Sequence, residues 1–225
     1  MLNLYYGGTF DPVHNGHLAI ARAARDELEA PVRLMPAADP PHRPPPGANA
    51  GQRAHMLDLA VAGQPGLQVD RRELERAQRQ PHARSYSVDT LHELRGELGA
   101  DAPIALLVGA DSLVSLPTWK AWRRLFTLAH FVVAERPGSP LDGVLASELG
   151  IELRDRWVDR SEVLAATPAG RVYRLHQPLQ PESASDLRQR IARGQPWRDL
   201  LPAAVAAYIA DERLYFTTGP QDAWV

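Results

Sequence analysis

The chain has no cysteine, and Lys120 is the only lysine among its 25 basic residues. Without cysteine, a disulfide scaffold and a thiol nucleophile are both excluded. The formal net charge of −2 shows no basic surplus, which argues against a general nucleic-acid partner. No apolar run approaches the length needed to span a bilayer, so no membrane association is predicted.

Two common phosphate-binding patterns are also absent, because neither a P-loop nor a G-x-G-x-x-G run occurs. The first residues lack the basic and apolar regions of a secretory signal and lead directly into a short apolar stretch. These absences, together with the lack of cysteine, predict a cytoplasmic protein.

The composition, with 44% hydrophobic and 23% charged residues in 225, is that of a globular chain with a substantial core. We expect a single domain over residues 1–216, followed by a loose tail over 217–225. The late helical stretch, residues 183–213, is expected to belong to that domain. The sequence does not determine the oligomeric state, and a homo-oligomer is one possibility.

Short apolar stretches alternate with segments of helical period along the chain. The expected strands are residues 2–6, 31–36, 67–69, 104–108, 131–134 and 172–176. Residues 71–84 are densely charged and are read as a loop, a helix is expected to open at Leu116, and residues 138–170 are expected to hold a short helix and a strand-like piece. This alternation predicts an α/β fold of the Rossmann-like, doubly wound type, with a mostly parallel sheet covered by helices on both faces.

In such sheets, ligands bind beyond the carboxyl ends of the strands, and the most informative loop lies at one of them. Gly7 and Gly8 follow the first strand, and Asn15 is a candidate N-cap for the next helix. A tight turn into a helix start directs backbone N–H groups at an anion, and His14 and His17 are spaced to lie on one face beside it.

Simpler interpretations of this loop exist. A glycine pair before a helix is often only a turn, and H-x-x-H can be half of a zinc site, although no third ligand is evident nearby. Asp11 lies in a Phe-Asp-Pro turn, where an aspartate usually bonds to the backbone; a metal-ligand role for it is the weaker alternative.

The longer run Gly7-Gly8-Thr9-Phe10-Asp11-Pro12-Val13-His14-Asn15-Gly16-His17 resembles the T/H-x-G-H motif of the nucleotidylyltransferase superfamily. From residue 4 to about 214, the chain is similar to the bacterial nicotinate-nucleotide adenylyltransferases. The resembling stretches are P-P-H-R at 40–43, S-Y-S-V-D-T-L at 85–91, G-x-D at 109–111, L-P-x-W at 116–119 and S-A-S-x-x-R at 183–188.

The resemblance implies attack by the phosphate of nicotinate mononucleotide on the α-phosphorus of ATP, in the adenylyltransferase fold, with Mg²⁺ carried mainly by ATP oxygens and no metal ligand from the protein. His14, His17 and Arg188 would be catalytic. Residues expected to bind ATP and its phosphates are Gly8, Thr9, Phe10, Gly16, Gly109, Asp111, Ser183 and Ser185.

For the acceptor, the resemblance implies a nicotinate ring stacked on Trp119, with its carboxylate at the backbone N–H groups of Ser87 and Lys120. A plain core role for Trp119 and a surface role for the arginines are the alternatives. The residues expected around nicotinate mononucleotide are Asp39, His42, Arg43, Arg53, Tyr86, Ser87, Trp119 and Lys120.

Three positions depart from the family pattern: Asp39 replaces Asn, Arg43 replaces Lys, and Glu182-Ser183-Ala184-Ser185 loses an isoleucine and a hydroxyl. The rarity of lysine weakens the second departure as evidence of changed chemistry. Two other functions are consistent with the chain: a same-fold adenylyltransferase that uses nicotinamide mononucleotide or phosphopantetheine, and a non-catalytic nucleotide sensor.

Overall fold

A computed structural model describes residues 1–38, 47–80, 84–135, 147–177 and 182–216. All its strand pairings are parallel, in one sheet of order β3-β2-β1-β4-β5-β7-β6. The strands are β1 Asn3–Gly8, β2 Val32–Pro36, β3 Leu67–Val69, β4 Ile104–Gly109, β5 His130–Ala134, β6 Trp157–Val158 and β7 Val172–Arg174. The expected doubly wound α/β fold is therefore confirmed, and the described sheet is wholly parallel.

Helices connect the strands. They are α1 Asn15–Glu27, α2 Ala50–Val61, α3 Arg72–Arg79, α4 Ser87–Leu98, α5 Ala110–Val114, α6 Trp122–Leu128, α7 Glu148–Leu153, α8 Glu162–Ala166, α9 Ala184–Ala192 and α10 Ala203–Asp211. No helix among the described residues is both long and apolar enough to cross a membrane.

The sheet separates two apolar cores, because successive side chains of a strand point to opposite faces. Leu4 and Tyr6 of β1 pack in one core with residues of α1, α2, α9 and α10. Tyr5 packs in the other core with residues of α4 to α7. The late helices α9 and α10 thus bury apolar surface together with β1. The expected end of the domain at residue 216 stays a prediction.

The strand order reverses between β1 and β4. After β1 the chain adds β2 and β3 on one side, and after β4 it adds the remaining strands on the other. Tyr6 pairs with Leu107, so the loops that follow Gly8 and Gly109 emerge side by side. This reversal creates a crevice at the carboxyl edge of the sheet.

The loop expected over residues 71–84 is wrong, since α3 occupies most of it. The apolar period failed to predict α3 because its buried face is largely polar: Glu73 is 6% and Arg76 9% exposed, and Leu74 lies between them. Thr90 of α4 donates to Glu73 and accepts from Arg76, so this buried charged face is hydrogen-bonded.

The other differences are local. Leu116 opens a 3₁₀ turn rather than an α-helix, and Ala121 at φ 51° separates that turn from α6. Helix α5 directly after β4 was not expected. The N-caps of α1 and α4 are His14 and Tyr86, each one residue before the predicted Asn15 and Ser87. Residues 147–170 contain α7, β6 and α8, one helix more than expected for residues 138–170.

His130 begins β5 and is fully buried. Its Nδ1 accepts a hydrogen bond from the N–H of Arg171, and its Nε2 lies 2.8 Å from the carbonyl of Thr167. Because Nδ1 accepts, the ring is neutral and Nε2 donates. Burial lowers the pKa of His130 below its ordinary value of 6.5, an effect that the nearby Arg95 and Arg171 reinforce.

We expect this buried neutral ring to make stability fall in mild acid. The unfolded state binds a proton more readily, so the contribution of His130 is complete above about pH 6.5 and is lost as the pH falls towards the lower folded-state pKa. Urea unfolding between pH 7.5 and 5 should show a shallower loss in His130→Asn than in the native chain. His92→Asn, at an exposed histidine, is the control and should follow the native slope; equal slopes in all three would contradict the role of His130.

Candidate active site

The loop after β1 folds back on itself. The ring of Phe10 packs against Gly8, where a Cβ would lie 2.9 Å from it, and Phe10 has φ 50°. Phe10 is only 2% exposed, with its ring 5.5 Å from that of Tyr6 and 5.0 Å from that of His17. The expected phosphate role of Phe10 is therefore left to its backbone, because its side chain lies in the core and holds the turn.

His14 and His17 lie at the start of α1 with their ring centroids 3.7 Å apart. The backbone N–H of His14 donates to Nδ1 of His17 over 3.2 Å. Because Nδ1 of His17 accepts this bond, the proton of the neutral ring resides on Nε2. The cap of the helix thereby fixes His17 as a hydrogen-bond donor through Nε2.

Asp11 connects three segments that are distant in sequence. It is 3% exposed and accepts hydrogen bonds from the N–H groups of Gly47 (2.8 Å) and Ala48 (3.0 Å) and from the hydroxyl of Tyr215 (2.7 Å). Both carboxylate oxygens are engaged by these donors. The interpretation of Asp11 as a residue that serves the backbone is confirmed.

Arg188 of α9 reaches the same loop. Its Nη1 donates to the backbone carbonyl of Asp11 over 2.6 Å and lies 3.5 Å from Oδ2 of Asp11. Ser183 caps α9 by accepting from the N–H of Asp186, and its Oγ lies 3.2 Å from that of Ser185. The structure thus brings the start of α9, with its two predicted serines, to the loop after β1.

Gly16 allows this approach of the two segments. A Cβ at Gly16 would lie 3.0 Å from Nδ1 of His14 and 3.2 Å from a carboxylate oxygen of Glu182, both closer than ordinary contacts. A larger residue at the third position of the His14-x-Gly16-His17 motif would therefore press on the ring of His14 and on the side chain of Glu182.

Arg53, one of the residues expected around nicotinate mononucleotide, is buried, so the alternative of a surface role for it is wrong. The side chain is 1% exposed and donates to the carbonyls of Thr9, Ala38 and Ala48 over 2.7, 3.0 and 3.3 Å. Burial lowers the pKa of Arg53, opposed chiefly by the charge of Asp11. In the structure Arg53 holds the ends of loops together, because three of its N–H groups are spent on backbone carbonyls.

A cavity of about 200 Å³ opens beside the loop after β1. Its walls bring together Gly8 and Thr9 with four of the residues predicted for the acceptor. The polar and aromatic lining residues are Thr9, Glu73, Ser85, Tyr86, Ser87, Thr90, Ser112, Ser115, Thr118, Trp119 and Lys120. Trp119 is half-buried against the second core, and Ser87 is the first residue of α4, where backbone N–H groups have no partner within the helix.

Glu73 lines the cavity, and the sequence reasoning missed it. Burial raises the pKa of its carboxyl, while the hydrogen bond from Thr90 and the charge of Arg76 oppose that rise. Ser85 also bonds to it, and the hydroxyl of Ser85 accepts from the N–H of Ala38. The sequence signal that could have identified this buried face was the i,i+3 spacing of Glu73 and Arg76, with Leu74 between them, in a densely charged stretch.

The remaining predicted residues are distributed around the crevice or lie outside it. Gly109 ends β4, and Asp111 is an exposed residue in the first turn of α5. Asp39, His42 and Arg43 lie outside the described residues. Within the described part of the chain, no three His, Asp or Glu side chains are grouped so as to hold a metal ion.

Comparisons with known proteins agree with this architecture. The sequence model of the cytidylyltransferase-like family matches residues 5–190. A probable nicotinate-nucleotide adenylyltransferase of Stenotrophomonas maltophilia is 62% identical over 219 residues, covering 97% of this chain and 99% of the relative. One of Xylella fastidiosa (strain 9a5c) is 50% identical over 214 residues, covering 95% and 96%.

Among solved structures, the chain is similar to the Plasmodium falciparum nicotinic acid mononucleotide adenylyltransferase complexed with NaAD. The TM-score is 0.69 at 15% sequence identity, with 95% of this chain and 97% of that chain covered. At this identity the likeness supports the fold alone.

We predict that removing the hydroxyl of Tyr215 destabilises the fold. Burial and the charge of Asp11 raise the pKa of Tyr215, so the phenol stays protonated and donates to the carboxylate. Tyr215→Phe should lower the free energy of unfolding by about 1.5–3 kcal/mol, as expected for a bond to a charged group. Urea denaturation measures this, and Tyr208→Phe on α10 serves as the control. Equal stability of the two variants would show that the bond to Asp11 contributes nothing.

Proposed function

The chain belongs to the nicotinate-nucleotide adenylyltransferases, within the cytidylyltransferase-like family, and we propose that its crevice transfers the adenylyl group of ATP to nicotinate mononucleotide. An oxygen of the acceptor phosphate forms a bond to the α-phosphorus as the bond to the β-phosphate oxygen breaks. Nicotinate adenine dinucleotide and pyrophosphate are the products, in a step of NAD biosynthesis. The observation that carries the proposal is that Gly8 and Thr9, at the loop after β1, share one cavity with Ser87 and Trp119.

ATP would lie with its phosphates at the start of α1. The positive end of that helix and the Nε2–H of His17 both suit an anion there, and His14 stacks against His17. Arg188 is held at the same loop by its bond to Asp11, where its charge would offset the charge that develops on the departing pyrophosphate. Ser183 and Ser185 would contact the β- and γ-phosphates.

This chemistry needs no covalent intermediate on the enzyme. The acceptor phosphate is itself a nucleophile and pyrophosphate is a good leaving group, so in-line positioning and charge stabilisation supply the acceleration. The network around Asp11 supports this proposal, because it holds the loop after β1, the start of α2 and Arg188 in fixed relation.

The acceptor would occupy the cavity. The exposed part of Trp119 offers a face on which a flat pyridine ring stacks, and the N–H of Ser87, at the positive start of α4, suits a carboxylate. Lys120 would add its backbone N–H, and Tyr86 would complete the wall.

Mg²⁺ is proposed as the metal that accompanies ATP. Asp11 is engaged by backbone and hydroxyl donors, and the described residues offer no carboxylate cluster, so phosphate oxygens and water would be its ligands. When bound, the metal would neutralise part of the charge of the triphosphate. The cytoplasmic location and the absence of a nucleic-acid partner also stay proposals, and the oligomeric state stays open.

The reaction is tested by pyrophosphate release from ATP and Mg²⁺ with nicotinate mononucleotide, nicotinamide mononucleotide and phosphopantetheine in parallel. We expect a strong preference for the nicotinate form. A preference for another acceptor would retain adenylyl transfer but reject the proposed pocket. If purified protein bound ATP and released no pyrophosphate with any of the three, a nucleotide sensor would replace the enzyme.

The role of His17 is tested by His17→Asn. The amide oxygen of Asn can replace Nδ1 as the acceptor for the N–H of His14, whereas the donor at Nε2 is lost. Turnover should fall by about 10²–10³, the usual effect of removing one transition-state donor, with little change in thermal stability. His55→Asn, at an exposed histidine on α2, is the matched control. Native turnover in His17→Asn would refute the assigned role.

A further inference from the structure

Lys120 is the only lysine of a chain that otherwise uses arginine for its basic side chains, and it lines the proposed acceptor cavity. It follows Trp119 directly and precedes Ala121, whose left-handed backbone turns the chain into α6. The family resemblance assigns only the backbone N–H of Lys120, so the ammonium group has no role in the function described above.

The ammonium is held at the rim of the cavity. Nζ lies 3.1 and 3.3 Å from the two carboxylate oxygens of Asp89 in the first turn of α4, and 4.5 Å from the ring centroid of Tyr86. The Lys120 side chain is 50% exposed and that of Asp89 42%. An ion pair this exposed is weak, so a ligand can exchange for Asp89 at little cost.

The distribution of charge around the cavity favours Lys120 as the partner of an entering anion. Among the described lining residues, Lys120 carries the single positive side chain and Glu73 is the single acidic one. Glu73 is buried and is already bonded to Thr90 and Ser85, with Arg76 4.0 Å away. An entering carboxylate therefore meets one side-chain cation among the described lining residues, Lys120, whose partner Asp89 is itself partly exposed.

We propose that the ammonium of Lys120 moves from Asp89 to the carboxylate of the pyridine ring and thereby selects the acceptor by its charge. This inference rests on the proposed function, because it names what distinguishes nicotinate from nicotinamide mononucleotide in that cavity. The carboxamide has no charge, so it gains nothing from the exchange and Lys120 stays with Asp89.

The acceptor phosphate is the other anion that Lys120 could meet. It must reach the α-phosphorus of ATP near His14 and His17, whereas Lys120 is adjacent to Trp119, on which the ring is proposed to stack. The carboxylate on that ring is therefore the partner that the arrangement favours. A contact with the phosphate would affect both acceptors equally, which separates the two cases experimentally.

The test is the ratio of kcat/KM for nicotinate and nicotinamide mononucleotides. Lys120→Met should lower kcat/KM about tenfold or more for the nicotinate form, mainly through KM, and leave the nicotinamide form nearly unchanged. Lys120→Arg should recover part of the selectivity, because it restores the charge. Arg193→Met, at an exposed arginine that follows α9, removes the same charge away from the cavity and should leave the ratio unaltered.

Asp89→Asn distinguishes substrate selection from a structural ion pair. If Lys120 selects the carboxylate, removing its competitor should lower KM for nicotinate mononucleotide. If the pair only holds the turn after Trp119 against α4, then Asp89→Asn and Lys120→Met should lose activity alike, and the inference would be overturned.

Because the chain has one lysine, ligand binding at Lys120 can be observed directly. Lysine labelled with ¹³C gives a single set of side-chain NMR signals, whose Cε resonance should shift on adding nicotinate mononucleotide and not nicotinamide mononucleotide. Equal shifts, or equal kinetic losses with both acceptors in Lys120→Met, would refute the selection by charge while native turnover still supported the proposed function. Absence of pyrophosphate release by the native chain would instead refute the function itself.

Discussion

One buried carboxylate, that of Asp11, determines how the loop after β1 is held. It accepts from the N–H groups that lead into α2 and from a hydroxyl near the end of the described chain, while the carbonyl of the same residue accepts from Arg188. A buried charge is costly unless it is hydrogen-bonded, so these partners are required rather than incidental. The position of Arg188 depends on this set of bonds, because its Nη1 donates to the carbonyl of Asp11.

Two features of the fold place anion-binding groups at the crevice. The sheet supplies the first, because the reversal between β1 and β4 brings two glycine-containing strand ends side by side. The helix starts supply the second, since α1, α4 and α9 each begin at the crevice with N–H groups suited to anions. Together with His17 and Arg188, these helix starts would supply positive charge locally for two phosphates, although the net charge of the chain is −2.

The sequence predicted the parts whose chemistry is local. Strands such as β4 are continuous apolar runs, and His14 and His17 form a spaced pair after a strand, so both were identifiable. It failed where the buried partner is distant or polar. Helix α3 buries Glu73 and Arg76 instead of an apolar stripe, and Arg53 serves the carbonyls of loops up to 44 residues away in sequence. No local pattern distinguishes such an arginine from one that faces a phosphate.

The bond between Tyr215 and Asp11 spans 204 residues of sequence. It can close only after nearly all of the described chain has been synthesised, and bringing together groups so far apart in sequence costs chain entropy. Until then the loop after β1 lacks one of its supports. The bonds around Asp11, in the loop that leads to His14 and His17, are therefore complete only when Tyr215 has packed against that loop.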